Sequence, residues 1–221
     1  KDHCIFVLNK GEMAGGGLVT VEVKNISNKN IQCTFNSAAQ GGCAHFSGSV
    51  HIVNKKCTFT SNRANFVGGA VYYQNITYIL SYHSLYYQNS AFLKGGAVAS
   101  EHCKIISTYY SQYFKNHAFQ NGGAVAAENC KIIFSHHNKC YKNVADGEGG
   151  CIFITSRFST VVLNYNCSFT LNKVSKNGGA YKHEKLQKVS NIYCTFIQNT
   201  AREMAGATYD SKVKMIFNQF N

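Results

Sequence analysis

Apolar residues in this chain come in short alternating or β-branched runs, and nowhere do they keep a three- and four-residue spacing over ten positions. Ala70-Val71-Tyr72-Tyr73, Cys103-Lys104-Ile105-Ile106 and Cys130-Lys131-Ile132-Ile133 are typical. Runs of this kind predict short strands, and the polar, mostly uncharged segments between them predict turns.

The pattern repeats. A glycine pair stands at Gly15-Gly16, Gly41-Gly42, Gly68-Gly69, Gly95-Gly96, Gly122-Gly123, Gly149-Gly150 and Gly178-Gly179, with Ala205-Gly206 in the eighth place. Gly69, Gly96, Gly123 and Gly150 are equally spaced, the step to Gly179 is longer by two, and the step to Gly206 returns to the first spacing. Six residues before the pair comes an asparagine in seven units: Asn9, Asn62, Asn89, Asn116, Asn143, Asn172 and Asn199. Three residues before that is an aromatic ring, Phe6, Phe59, Tyr86, Tyr113, Phe169 or Phe196, with Cys140 as the exception. A small or polar residue, often Cys, lies two residues earlier, at Cys4, Cys57, Ser84, Ser111, Asn138, Cys167 and Cys194. The second unit reads as Cys33-Thr34-Phe35-Asn36, about three residues short before its glycines.

A unit of this length suits an ankyrin repeat, a leucine-rich repeat or one coil of a solenoid. The missing helical spacing excludes the first, and the missing leucine ladder excludes the second. The reading is therefore all-β: a parallel β-helix of about eight coils of about 27 residues, with three short strands in each. Identical columns stacked about 4.8 Å apart would place Phe6, Phe35, Phe59, Tyr86, Tyr113, Phe169 and Phe196 in one interior aromatic ladder. The asparagines would form a ladder of side-chain amides, each donating to one coil and accepting from the other. The glycine pair supplies a corner that needs positive φ and close approach between coils. The chain has no proline, as a stack requires in which every strand N–H bonds the next coil.

F-x-x-N followed by G-G-A-[VIL] resembles the repeat of the chlamydial polymorphic outer membrane proteins, a family of surface autotransporters, and of β-helical surface proteins in some protists. The motif stands here as Phe59/Asn62 with Gly68-Gly69-Ala70-Val71, as Tyr86/Asn89 with Gly95-Gly96-Ala97-Val98, and as Tyr113/Asn116 with Gly122-Gly123-Ala124-Val125. The resemblance covers essentially the whole chain. It implies a right-handed helix of the pectin-lyase-like kind, located on the cell surface and associated with adhesion. Departures are Cys140 for the aromatic, Cys43 and Cys151 for the alanine after the glycines, and Ala205 for glycine.

Composition adds a sign and some candidate chemistry. Lys and Arg exceed Asp and Glu by 12, which favours polyanionic partners of any kind. No run of 18 apolar residues exists, so no transmembrane segment is predicted. The ten cysteines fall in repeat columns, either as a stack of buried thiols or as cross-coil disulfides. The candidate stacked pairs are Cys33 with Cys57, Cys103 with Cys130, and Cys167 with Cys194. No C-x-x-C or H-x-x-x-H spacing occurs, so neither a metal nor a cofactor is expected. His136 and His137, adjacent on a predicted strand, should point to opposite faces. Asn25-Ile26-Ser27, Asn75-Ile76-Thr77 and Asn166-Cys167-Ser168 are candidate N-glycosylation sites.

The expected function is a non-catalytic extracellular or cell-surface scaffold and adhesion module, within a larger or filamentous assembly. Its partners would be other protein chains, extracellular glycans, or further coils and neighbouring copies at open ends; specific nucleic-acid binding is not expected. Residues 1–221 read as a single segment of a longer chain, because the first unit starts almost on the signature and the last breaks off at Phe217–Asn221 without a polar cap. An alternative is a polysaccharide-active or glycan-binding β-helix using Glu101 and Glu128, one period apart and each followed three residues on by Lys104 or Lys131. A third reading is polyanion binding through basic columns, Lys115 with Lys142 and Lys104 with Lys131, with Lys182, Lys185 and Lys188 clustered in the longer seventh unit.

Overall fold

A computed structural model describes residues 2–213 and 215–219; Lys1, Lys214, Phe220 and Asn221 lie outside the described residues. The chain is an all-β parallel solenoid of about eight turns, and every strand pairs in parallel with the strands one turn before and after it. Each full turn has four strands and not three. In the fourth turn they are Leu85–Tyr87, Ser90–Ala91, Val98–Glu101 and Ile105–Tyr109. We number the sheets I to IV in that order. Sheets I, III and IV have eight strands each and sheet II has seven. Ser90–Ala91 shows why sheet II is hard to foresee, since a strand of two residues has no periodicity to read.

Single residues in the left-handed region turn most of the corners. Between sheets IV and I these are His3, Asn30, Lys56, His83, Tyr110, His137, Asn166 and Tyr193, all with φ between 49° and 54°. The first glycine of each pair turns the corner into sheet III, as at Gly68 with φ 65°. The second is needed for close approach, because a Cβ at Gly69 would collide with the carbonyl oxygen of Gly96 in the next turn.

Inside, the columns differ from the expected ones in the second turn. Sheet I pairs Phe6 with Cys33 and Cys33 with Phe59, so Cys33 and not Phe35 occupies the aromatic column. Phe35 sits at a corner with φ 54° and is 57% exposed. The column therefore reads Phe6, Cys33, Phe59, Tyr86, Tyr113, Cys140, Phe169, Phe196. Its rings stack where they adjoin: Phe59 on Tyr86 and Tyr86 on Tyr113 with centroids 4.9 Å apart, and Phe169 on Phe196 at 5.0 Å. The second turn is one residue short, not three, because Asn36 precedes its glycine pair by five residues where the other units have six. A register irregularity between Ala38 and Gln40 takes up the difference. The longer step, from Gly150 to Gly179, comes from the connection at 156–160, which precedes the sheet IV strand Val161–Tyr165.

The asparagine column runs without a break through Asn9, Asn36, Asn62, Asn89, Asn116, Asn143, Asn172 and Asn199. Each side-chain oxygen from Asn36 onward accepts from the backbone N–H and the amide of the asparagine one turn earlier, at 2.8–3.1 Å. Each amide from Asn36 onward also donates to a backbone carbonyl on sheet I, Asn89 to Phe59 for example at 2.9 Å. Five of the eight, Asn62, Asn89, Asn116, Asn143 and Asn172, have no solvent exposure. Such a column satisfies polar groups that water cannot reach.

The cysteines pair within turns and not between them. Disulfides join Cys33 to Cys43 and Cys140 to Cys151, with Cα atoms 6.1 and 6.3 Å apart. Both bridges replace the same two neighbours, the sheet I ring and the alanine after the glycines. The expected Cys33–Cys57 pair does not exist: Ile31 stands in the column of Cys4 and Cys57. Cys103 with Cys130 and Cys167 with Cys194 do adjoin in consecutive turns, as free buried thiols. Hydrogen bonding to Cys103 and burial push the Cys130 thiol well up; contact with Cys194 and burial do the same to Cys167.

Candidate functional site

Two places on the outer surface concentrate polar or aromatic side chains. On sheet III, Glu101 and Glu128 are paired one turn apart. Each has a partner, though not the lysines three residues on. The Tyr72 hydroxyl donates to Glu101 at 2.8 Å, and Lys94 forms an ion pair with Glu128. Burial and then the Glu101 carboxylate raise the Tyr72 phenol far above its ordinary value. Beneath these partners lie Ala99 and Ala126, buried between Tyr72 and Phe153 on the same outer face. Further along, Lys182 is 4% exposed, donates to Ser211 at 2.9 Å, approaches Glu148 at 3.8 Å and lies over the Tyr209 ring. It forms no cluster with Lys185, at the corner after sheet III, or with Lys188, on sheet IV.

The second place is the corner between sheets IV and I. The last outward position of sheet IV holds Lys55, Tyr82, Tyr109, His136 and Tyr165 in successive turns. The corner residue beside it is Lys56, His83, Tyr110, His137 or Asn166. Rings stack along both columns: Tyr82 on Tyr109 at 5.4 Å, His136 on Tyr165 at 4.9 Å, His83 on Tyr110 at 5.0 Å and Tyr110 on His137 at 4.8 Å. His136 and His137 do not point to opposite faces. His137 has left the strand at φ 53°, which swings its ring beside its neighbour and puts the two Nδ1 atoms 2.6 Å apart. Partial burial, then the neighbouring imidazole, lowers the pKa of His136. The amide of Asn166 reaches His137 Nε2 at 2.8 Å.

The adjoining outer face of sheet I carries Tyr87, Phe114 and Tyr141 in successive turns. A groove of about 410 Å³ runs between them, lined also by Lys115, Lys139, Ser168 and Thr170. Lys115 lies over the Tyr87 ring at 5.8 Å and Lys142 over the Tyr141 ring at 5.0 Å. A second groove, of about 270 Å³, follows the outer face of sheet IV past Tyr109, Phe134, His136, Leu163 and Tyr165.

Charge divides sharply between the two places. Apart from Asp2, every acidic residue lies on sheet III or in the connections at its two ends. Among the described residues, sheets I and IV and the corners that bound sheet I carry seven lysines: Lys29, Lys55, Lys56, Lys115, Lys139, Lys142 and Lys188. Asp2 faces them as the single acid, 3.3 Å from Lys29. The repeat alone leaves the net charge of +12 without a location; the fold puts much of the excess on this side. Lys104 and Lys131 stand apart from it, at the corner after sheet III.

The three sequon asparagines, Asn25, Asn75 and Asn166, are all exposed. Among the described residues no group of three or more His, Cys, Asp or Glu side chains converges as a metal site would require. No helix of the described chain is long and apolar enough to cross a membrane.

No family model, no curated protein and no solved structure matches this chain. The likeness to the polymorphic outer membrane proteins rests on the F-x-x-N and G-G-A-V motifs alone.

Two features of the interior and one of the surface escape a reading by column. Asn36 is hidden by the one-residue deletion in its unit, although it follows Asn9 by one regular period. The disulfides were signalled by a coincidence: the two units that lose the aromatic are the two that place Cys after the glycines. The stacked ridge was not signalled, since its columns mix Lys, Tyr, His and Asn.

Proposed function

We propose that this chain is part of a right-handed parallel β-helix on a cell surface or outside the cell, where it acts as a non-catalytic scaffold and adhesion module. The observation that carries the reading is the unequal surface. One side bears a ridge of Tyr and His rings, stacked as Tyr82 on Tyr109, His136 on Tyr165 and His83 on Tyr110 on His137, with seven lysines, whereas on the other side Glu101, Glu128 and Glu148 are engaged by Tyr72, Lys94 and Lys182. A rigid stack that presents a ring or a cation at the same position in successive turns suits polyvalent attachment, in which many weak contacts add. The motif likeness to a family of surface autotransporters and the three exposed sequons point the same way.

Beads coated with the chain should adhere to cells or to deposited extracellular matrix, and the chain should release no product from polysaccharides. Beads that show no adherence to either would refute the proposal.

A second reading, a polysaccharide-active enzyme, is favoured by Glu101 and Glu128, two carboxylates one turn apart above small alanines. It requires product release that is lost in Glu101→Gln or Glu128→Gln.

A further inference from the structure

We infer that the ridge between sheets IV and I binds a linear anionic polysaccharide, one carrying sulfate or carboxylate groups at regular intervals and lying along the axis of the stack. The inference rests on the extracellular reading above and specifies its ligand.

Charge gives the first argument. Lys55 and Lys56 open the ridge, Lys139, Lys115 and Lys142 flank it on sheet I and its far corner, and no acid interrupts it after Asp2. A polymer of repeated negative charge is complementary to such a strip along its whole length.

Ring orientation gives the second. The rings of Tyr82 and Tyr109, of His136 and Tyr165, and of His83, Tyr110 and His137 lie face to face along the stack, with interplanar angles of 8–25°. The stacked faces are thus taken by neighbouring turns, and what points outward is the ring rim with its phenol O–H groups; both nitrogens of His137 are engaged, by His136 and by Asn166. The rim is the positive part of an aromatic quadrupole, and the phenol groups are hydrogen-bond donors. On sheet I the faces of Tyr87 and Tyr141 are covered by the Lys115 and Lys142 ammonium groups. Single-stranded nucleic acid gains its affinity by stacking bases on free aromatic faces, and this ridge has few to offer. It presents donors and cations instead, repeated at the turn spacing of about 4.8 Å over some 20 Å from Lys55 to Tyr165. A sulfated or uronic polymer is the partner whose anionic groups and hydroxyls match both.

The test is equilibrium binding of the whole chain, made in a host that adds no N-glycan to Asn166, to immobilised heparin and polygalacturonate. Dextran serves as a neutral control, and single-stranded and duplex DNA of matched length are run beside it. Binding to at least one anionic polysaccharide and not to dextran is expected, weakening tenfold or more between 50 and 200 mM salt, a loss that about two ionic contacts suffice to give. The variant Lys55→Ala/Lys56→Ala/Lys139→Ala/Lys142→Ala should lose at least tenfold, with its thermal transition unchanged. Lys104→Ala/Lys131→Ala, on the corner after sheet III, should bind as the unaltered chain does. Tyr82→Phe/Tyr109→Phe, which keeps the rings and removes two donors, should weaken binding severalfold.

No anionic polysaccharide binding, equal losses in the two lysine variants, or equal or tighter binding to DNA would overturn the inference. Adherence of coated beads that survives in the quadruple variant would sink the polysaccharide assignment and leave the adhesion reading standing; no adherence by the unaltered chain would remove that reading itself.

Discussion

Asn89→Ala tests the interior of the stack. The side chain has no solvent exposure and makes four hydrogen bonds. Its oxygen accepts from the Asn62 backbone N–H and the Asn62 amide, both at 3.0 Å, and its own amide donates to the Phe59 carbonyl at 2.9 Å and to Asn116 Oδ1 at 3.1 Å. In the variant the Asn62 amide keeps the Cys33 carbonyl and Asn116 Oδ1 keeps the Asn89 N–H. The Asn62 N–H loses its acceptor in a place water cannot reach. At about 1 kcal/mol for each of the three other hydrogen bonds and about 1–3 kcal/mol for the orphaned buried donor, the loss should be roughly 4–6 kcal/mol. For a chain of this size that lowers the melting temperature by on the order of 10 °C. Thermal and urea unfolding followed by circular dichroism would measure it. Asn36→Ala should cost a similar amount, which checks that Asn36 belongs to the column. Asn199→Ala, at a half-buried position, should cost less than half as much. A loss below about 1 kcal/mol at Asn89 would refute the view that the amide column holds the turns together.

Other outcomes follow from the same interior. Under denaturing, non-reducing conditions six thiols should react and four cysteines should not; Cys140→Ala/Cys151→Ala, which opens a loop of 11 residues, should destabilise by about 3 kcal/mol. Tyr73, Tyr86, Tyr113 and Tyr181 are held protonated by burial, with pKa values above the ordinary 10.0. Because the unfolded chain ionises first, their contribution is complete below pH 10 and falls as pH rises beyond it, so absorbance at 295 nm should show these tyrosines titrating only together with unfolding. Gly69→Ala should destabilise by several kcal/mol, since its Cβ meets the rigid backbone of the next turn and not a side chain that can move. Equal stability of Gly69→Ala and the unaltered chain in urea would contradict the close approach.

Much of the candidate surface was readable as columns and little of it as a surface. Lys115 above Lys142 and Glu101 above Glu128 follow from counting residues, and the turns do stack them. What counting cannot supply is the direction in which a column faces, because that depends on where each turn bends. Glycine or asparagine usually marks a bend of positive φ. Here the corner between sheets IV and I is turned by His, Asn, Lys and Tyr, and the one after sheet I by residues as unlike as Leu171, Phe35, Ser61 and Lys142. With the bends unmarked, His136 and His137 look like two faces of one strand, and Phe35 looks like a core ring.

The sequence by itself determined that the chain winds, how often, and, outside the second turn, with which residues above one another. Those are properties of a period, and a period survives any choice of corner. Only the tertiary structure decided that each turn has four sides, that two disulfides cross within turns, and that lysines and stacked rings share a flank from which acids are missing. These depend on bond-by-bond geometry at the bends, where one left-handed residue redirects every side chain that follows.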